Sequence, residues 1–246
     1  MNADNTVIVL TACVNPRGML YTALQDVNIR QKQYEDTLAF YLKNTEYKIV
    51  LVENTLSDLG YEFKQEISTG RLEYITFDGN NFDRSLGKGF GEAQMLSYAL
   101  NNSKLLKSYP YFIKITGRLI VKNINSLSKI IISKESKKII ACNIRPSKKL
   151  ATSTFFIVEK DFFSSYFISR MGEIDDRKGN WFEHILYSAI IEAKKDGYKS
   201  VVFPFPIKVI GVSGTTAKSY PKITIKDYIL SLGAFVLYNW FGFMKF

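Results

Sequence analysis

One histidine, two cysteines and six prolines in 246 residues remove several chemistries at once. His184 alone cannot build a histidine-rich metal centre, and Cys13 and Cys142 do not form a pair with zinc spacing. Each cysteine closes an apolar run, the setting of a reduced thiol in a cytosolic protein. The opening segment MNADNTVIVL lacks a basic stretch, and its apolar run is too short for a signal peptide. No internal repeat and no low-complexity linker interrupts the chain. Acidic residues are also scarce, at 23 against 33 lysines and arginines, which leaves a net charge of +10.

The composition that remains is that of a folded protein. Hydrophobic residues make up 46% and aromatics 14%, enough for a packed core. The length fits one larger domain, or one domain with a small appendage. The basic excess calls for an anionic partner, whether nucleic acid, an acidic membrane or a phosphorylated small molecule. The basic residues are dispersed, and no RNP, zinc-finger or helix-turn-helix signature accompanies them. Nucleic acid is therefore disfavoured.

Short β-branched runs alternate with helical spacing. Val7–Cys13, Tyr47–Val52, Leu72–Phe77 and Tyr111–Ile115 read as strands in the first half, and Val27–Leu42 and Gly87–Leu106 as helices. Lys138–Asn143, Ser153–Val158 and Val201–Phe205 read as further strands, and Trp181–Lys194 as a helix. This order predicts an α/β fold with a mixed, mostly parallel sheet flanked by helices. Ligands on such sheets bind beyond the carboxyl ends of the strands. Asn15, Arg17, Glu53, Asn54, Asp78, Thr116 and Arg118 collect there.

Each polar motif carries a functional and a structural reading. Gly117 lets backbone approach a diphosphate that the Arg118 fork would neutralise; the plain alternative is an arginine after a turn. GKGFGEA has the spacing G-x-G-x-G rather than the dinucleotide fingerprint, so nicotinamide binding is not expected. GVSGTTAKSY, Gly211–Tyr220, offers free amides, Ser213, Thr215 and Lys218 as a diphosphate nest, or is a loop before the tail. Glu183 stands in the first turn of a helix, where the macrodipole alone would favour it. Asp175 and Asp176 lie among basic residues, which reads more readily as a solvated ion-pair face than as a metal site.

In their order, VIVLTAC, VLVENT, GKGFGEA, FIKITGR, WFEHIL and GVSGTT resemble the GT-A glycosyltransferases. The similarity is to the small enzymes of bacterial O-antigen and capsule synthesis, galactofuranosyltransferase-type members included. It spans about residues 6 to 220 and implies a Rossmann-type domain over 1–222. The implied function is an inverting hexosyltransferase. It would take a nucleotide-sugar, a UDP-sugar with UDP-galactofuranose among the options, and extend a glycan on a lipid carrier. On this resemblance Glu183 is the base, with His184 as runner-up. Thr11, Asn15, Arg17, Glu53, Asp78, Lys88, Thr116, Arg118, Ser213, Thr215 and Lys218 bind the donor. Such enzymes usually hold a divalent metal with Asp-x-Asp; here Thr116-Gly117-Arg118 stands in its place, so neither metal nor other cofactor is expected. A nucleotidyltransferase on a similar sheet and a non-enzymatic membrane-binding module remain the alternatives.

The tail, residues 223–246, is apolar and aromatic, with no charge from Tyr228 to Met244. That run is short of the roughly 20 apolar residues of a bilayer span. Its tyrosines, phenylalanines and Trp240 favour the headgroup boundary. An amphipathic helix at an anionic membrane surface, or an interface helix, is the expectation. It would place the protein in the cytoplasm, peripheral to the inner face of the membrane.

Overall fold

The computed structural model describes residues 5–19, 22–132, 138–214 and 216–240, with backbone alone at 130–132 and 239–240. The strands are β1 Thr6–Ala12, β2 Ile49–Glu53, β3 Leu72–Thr76, β4 Tyr111–Thr116, β5 Ile120–Val121, β6 Ile139–Arg145, β7 Leu150–Glu159, β8 Lys199–Val201 and β9 Val209–Ile210. The helices are α1 Val27–Asn44, α2 Lys64–Ser68, α3 Lys88–Asn102, α4 Lys104–Ser108, α5 Ile124–Ile132, α6 Lys160–Phe162, α7 Phe182–Lys195 and α8 Ile225–Trp240. Helix α6 runs on into a π turn at Phe163–Phe167.

Seven strands form one sheet in the order β3-β2-β1-β4-β7-β6-β8. Neighbours from β3 to β4 run parallel, β7 is antiparallel to both β4 and β6, and β8 is parallel to β6. Both faces are covered, which is why β1 is buried throughout and mostly apolar rather than alternating. Val7 and Val9 pack beneath α3 and α7, while Ile8 and Leu10 face Tyr34, Leu38 and Tyr41 of α1. The chain leaves β1 for β2 on one side and later returns to β4 on the other. That reversal creates the crevice where such sheets bind ligands.

Two details depart from the sequence reading. The helix predicted over Gly87–Leu106 breaks at Ser103, which caps α4 by accepting the Leu106 N–H at 2.9 Å. Glu73 fixes the break, accepting from Ser103 Oγ at 2.6 Å and from the Lys104 and Leu105 amides at 2.8 Å. The strand predicted over Val201–Phe205 instead occupies Lys199–Val201. The tail forms the expected helix, α8. Tyr228, Phe235 and Tyr238 turn toward the domain, with Tyr238 Oη 2.7 Å from Ser200 Oγ and Phe235 against the core. The opposite side is also apolar, with Ile225 81% and Ile229 67% exposed and Leu230, Leu232 and Leu237 beside them.

Candidate active site at the ends of the parallel strands

The centre of the crevice is a buried lysine that the strand pattern places inward. Phe112, Lys114 and Thr116 share one face of β4, and Lys114 is fully buried. Its three N–H groups meet three acceptors: Glu92 Oε1 at 2.5 Å, the Ser153 carbonyl at 2.5 Å and Thr116 Oγ1 at 3.0 Å. Phe156 and Phe182 flank the ammonium at 5.9 and 5.8 Å from their ring centres. Glu92, on the first turns of α3, also accepts from Thr11 Oγ1 at 3.0 Å and Thr116 Oγ1 at 3.4 Å. The strand ends of β1 and β4 are thus tied to α3 by one carboxylate.

Glu183 opens α7 beside this cluster, and Ser153 Oγ donates to its Oε1 at 2.5 Å. Lys88 is exposed, with Glu92, Glu183 and Asp176 near it. Partial desolvation holds its ammonium below the ordinary value, and the three carboxylates oppose that shift. Desolvation also pushes the Asp176 carboxyl up, against the pull of Lys88 and with the help of Glu183 and Asp175. Gly87 admits Asp176 here: its φ is +88°, and a Cβ would lie 1.9 Å from Asp176 Oδ2.

Arg118 lies beneath the Gly211–Tyr220 loop and is only 7% exposed. Its Nη1 donates to Gln33 Oε1 at 3.0 Å, and its Nε is buried with no partner among the described residues. The ribbon of β5 with β9 carries the loop to this place, and Ala23 N donates to the Gly214 carbonyl at 3.0 Å. Gly117 permits the turn before Arg118, because its N–H reaches the Thr11 carbonyl at 3.0 Å. A Cβ on Gly117 would lie 2.5 Å from that backbone oxygen. Gly117→Ala is expected to destabilise the fold by about 1–3 kcal/mol through this overlap. Thermal unfolding checks it, and an unchanged melting temperature would show that the turn relaxes freely.

The remaining residues form a rim over β2 and β3. Arg17 Nη1 lies 3.7 Å from Asp78 Oδ1, and Asn15 accepts from Asn80 Nδ2 through its carbonyl at 3.0 Å.

No known family profile matches the sequence, and no curated protein matches it. Solved structures do. The bifunctional glycosyltransferase WbbM, in its apo form, aligns with a TM-score of 0.50 at 12% identity, covering 94% of this chain and 44% of that one. The glycosyltransferase GlyE of Streptococcus pneumoniae TIGR4 gives 0.48 at 12% identity, over 81% of this chain and 45% of its own. A cytidylyltransferase from Leptospira borgpetersenii gives 0.43 at 11% identity, over 95% and 87%. The fold is GT-A-like. At these identities the likeness is one of fold.

On this fold the residues predicted for the site divide into three groups. Thr11, Thr116, Lys88 and Glu183 converge on the Glu92–Lys114 centre, with Arg118 beside it under the loop. Asn15, Arg17 and Asp78 form the rim. Glu53, expected to touch the nucleoside, is instead a sealed structural carboxylate. It is fully buried and accepts from the amides of Val14 at 3.2 Å, Thr55 at 2.8 Å and Ser57 at 3.1 Å. Thr76 Oγ1 at 2.9 Å and Thr55 Oγ1 complete its shell. The reason is local: a carboxylate at the end of a central strand is the strongest acceptor available to three converging loops.

His184 uses its ring at the helix start, where Nδ1 accepts the Trp181 N–H at 3.4 Å and the ring lies 5.1 Å from that indole. In the loop, Ser213 Oγ accepts the Thr216 N–H at 3.4 Å and Lys218 is exposed. Thr215 lies outside the described residues. Asp175 is held by Arg177 at 2.8 and 2.9 Å, which lowers its carboxyl to about 2.

Glu92, Lys114, Ser153 and Tyr220 were missed from sequence. Lys114 left a readable signal: a lysine at an inward position of an otherwise apolar strand needs a counter-charge. Tyr220 is half-buried near Arg118 and Glu92, and desolvation raises its hydroxyl above the ordinary value.

Proposed function

We propose that the chain is a glycosyltransferase that moves a sugar from a nucleotide-sugar, a UDP-sugar by preference, to an acceptor hydroxyl with inversion. The observation that carries this reading is the gathering of Glu183 with the Glu92–Lys114 pair, Thr11 and Thr116 at the reversal point of a GT-A-like sheet. Glu183 takes the proton of the acceptor hydroxyl as its oxygen bonds to the anomeric carbon. The bond from that carbon to the diphosphate breaks with its electrons, and the leaving charge faces Arg118 and Lys88. The Nε–H of Arg118, buried with no partner among the described residues, is a donor suited to a diphosphate oxygen. Arg17, Asn15 and Asp78 hold the nucleoside at the rim, and Glu53 stiffens that rim from below.

The test is a panel of nucleotide-sugars followed by thermal unfolding, since a bound donor stabilises by mass action, about 2.7 kcal/mol at a hundredfold excess over Kd. A UDP-sugar is expected to raise the melting temperature and to be consumed when acceptor is added. No shift with any nucleotide-sugar would sink the reading.

A divalent metal, which the fold family commonly uses, does not fit these residues. Among the described residues no three His, Cys, Asp or Glu side chains are grouped to hold one. Glu92 is instead committed to the Lys114 ammonium. Transfer is therefore expected to survive chelation. Activity abolished by EDTA and restored by manganese or magnesium would overturn this and redirect attention to Asp176. The nucleotidyltransferase alternative gains nothing here, because phosphoryl-type transfer normally needs metal-holding carboxylates.

The acceptor in this proposal is a glycan on a lipid carrier, met at an anionic membrane surface on the cytoplasmic side. Among the described residues no helix is long and apolar enough to cross a membrane. Helix α8 docks one side on the domain and leaves the other apolar side uncovered, an arrangement that calls for a partner. Lys208 lies over Tyr228 and Lys194 over Tyr238, each 5.6 Å from the ring, so cations flank the helix near both ends. Lys222 and Lys226 add to them. That charge suits anionic headgroups rather than a second copy of this basic chain. Truncation after Lys222 is expected to abolish sedimentation with anionic vesicles. Unchanged binding, or a dimer that disperses on truncation, would assign the helix to the fold or to an interface.

A further inference from the structure

Ser153 has no role in the proposed reaction, yet it joins the candidate base to the donor side of the crevice. It stands on β7, 8% exposed, and bonds in two directions. Its carbonyl accepts from Lys114 Nζ at 2.5 Å, and its hydroxyl donates to Glu183 Oε1 at 2.5 Å. Lys114 in turn holds Glu92 and Thr116, and Glu92 holds Thr11. The chain Thr11–Glu92–Lys114–Ser153–Glu183 therefore runs unbroken from the end of β1 to the start of α7.

We infer that Ser153 is a positioning residue for Glu183, anchored by the Lys114 ammonium. The inference rests on the reading of Glu183 as the base. A glutamate has three rotatable side-chain bonds, and on the first turn of a helix only a partner from another element can fix its carboxylate. Ser153 provides that partner. The serine is itself unable to drift, because its backbone oxygen is bound to an ammonium whose three protons are all engaged. An ammonium without partners in such a place is costly, so the anchor is stiff. Through this chain, the carboxylate that activates the acceptor is held in register with the threonines at the ends of β1 and β4.

Three variants test the inference: Ser153→Ala, Ser153→Thr and Glu183→Gln, each measured for kcat, donor KM and melting temperature. A carboxylate misplaced by about 1 Å costs on the order of a hundredfold in rate. Ser153→Ala is expected to lower kcat by about 10- to 100-fold, with donor KM and melting temperature near those of the native chain. Ser153→Thr, which keeps the hydroxyl, is expected to recover most of the loss. If Ser153→Ala turns over normally while Glu183→Gln is inactive, the positioning role is wrong and the base stands. If Ser153→Ala loses rate and melting temperature together and Ser153→Thr does not rescue it, the serine is only structural. If Glu183→Gln is itself active, the base reading fails and the inference falls with it.

Discussion

Glu183→Gln is expected to lose on the order of 10²–10⁴ in turnover while keeping its donor affinity. The amide is nearly isosteric with the carboxylate, and Ser153 can still donate to its oxygen, so the local geometry survives. What the amide cannot do is take a proton at neutral pH. Loss of the charge in the first turn of α7 removes a favourable dipole interaction of about 0.3–1 kcal/mol, too little to unfold the chain. The measurement is the initial transfer rate beside the donor-induced thermal shift. A variant that transfers sugar at near the native rate would make Glu183 structural. Asp176 would then be the next candidate on geometry, ahead of His184, whose ring serves the start of α7.

The second large effect concerns the buried pair. Glu92→Gln is expected to destabilise the fold by about 3–5 kcal/mol, because it strands the Lys114 ammonium without a counter-charge. At roughly 2–4 °C per kcal/mol for a chain of this size, the loss in melting temperature is large. Lys114→Met is expected to cost less, since the charge it leaves behind belongs to Glu92, whose side chain is 18% exposed. The double variant should be more stable than Glu92→Gln alone, because the stranded charge is gone. Thermal unfolding of the three proteins decides the matter. Additive losses would mean that the two groups do not depend on each other.

Strand order, and with it the crevice, was legible because both-face burial writes itself as unbroken β-branched runs. The terminal helix was legible too, as an apolar, aromatic run without charge, although which of its residues dock on the domain was not, since an apolar residue carries no mark of its neighbour. Glu53 shows where strand-end reasoning stops: the sequence places a carboxylate at a loop junction but does not say that three amides converge on it. Ser153 and Glu92 escaped for a related reason. Each gains its meaning from Lys114, which lies 39 and 22 positions away in the chain, and only packing brings them together. The break at Ser103 depends in the same way on Glu73 from a neighbouring strand.

The pairing of β1 with β4 joins Thr6 to Tyr111 and Thr11 to Thr116. Contacts of such sequence separation form late, after the entropy of closing the intervening loop has been met. As the chain emerges during synthesis, β1, β2 and β3 can pair with one another before β4 exists. That early half-sheet carries the Glu53 junction and the nucleoside rim, but not Thr116, Arg118, Ser153 or Glu183. The proposed catalytic centre is thus absent from every intermediate of synthesis that stops short of α7, although Lys88 and Arg118, the charges that would grip a diphosphate, are already present once β4 has emerged.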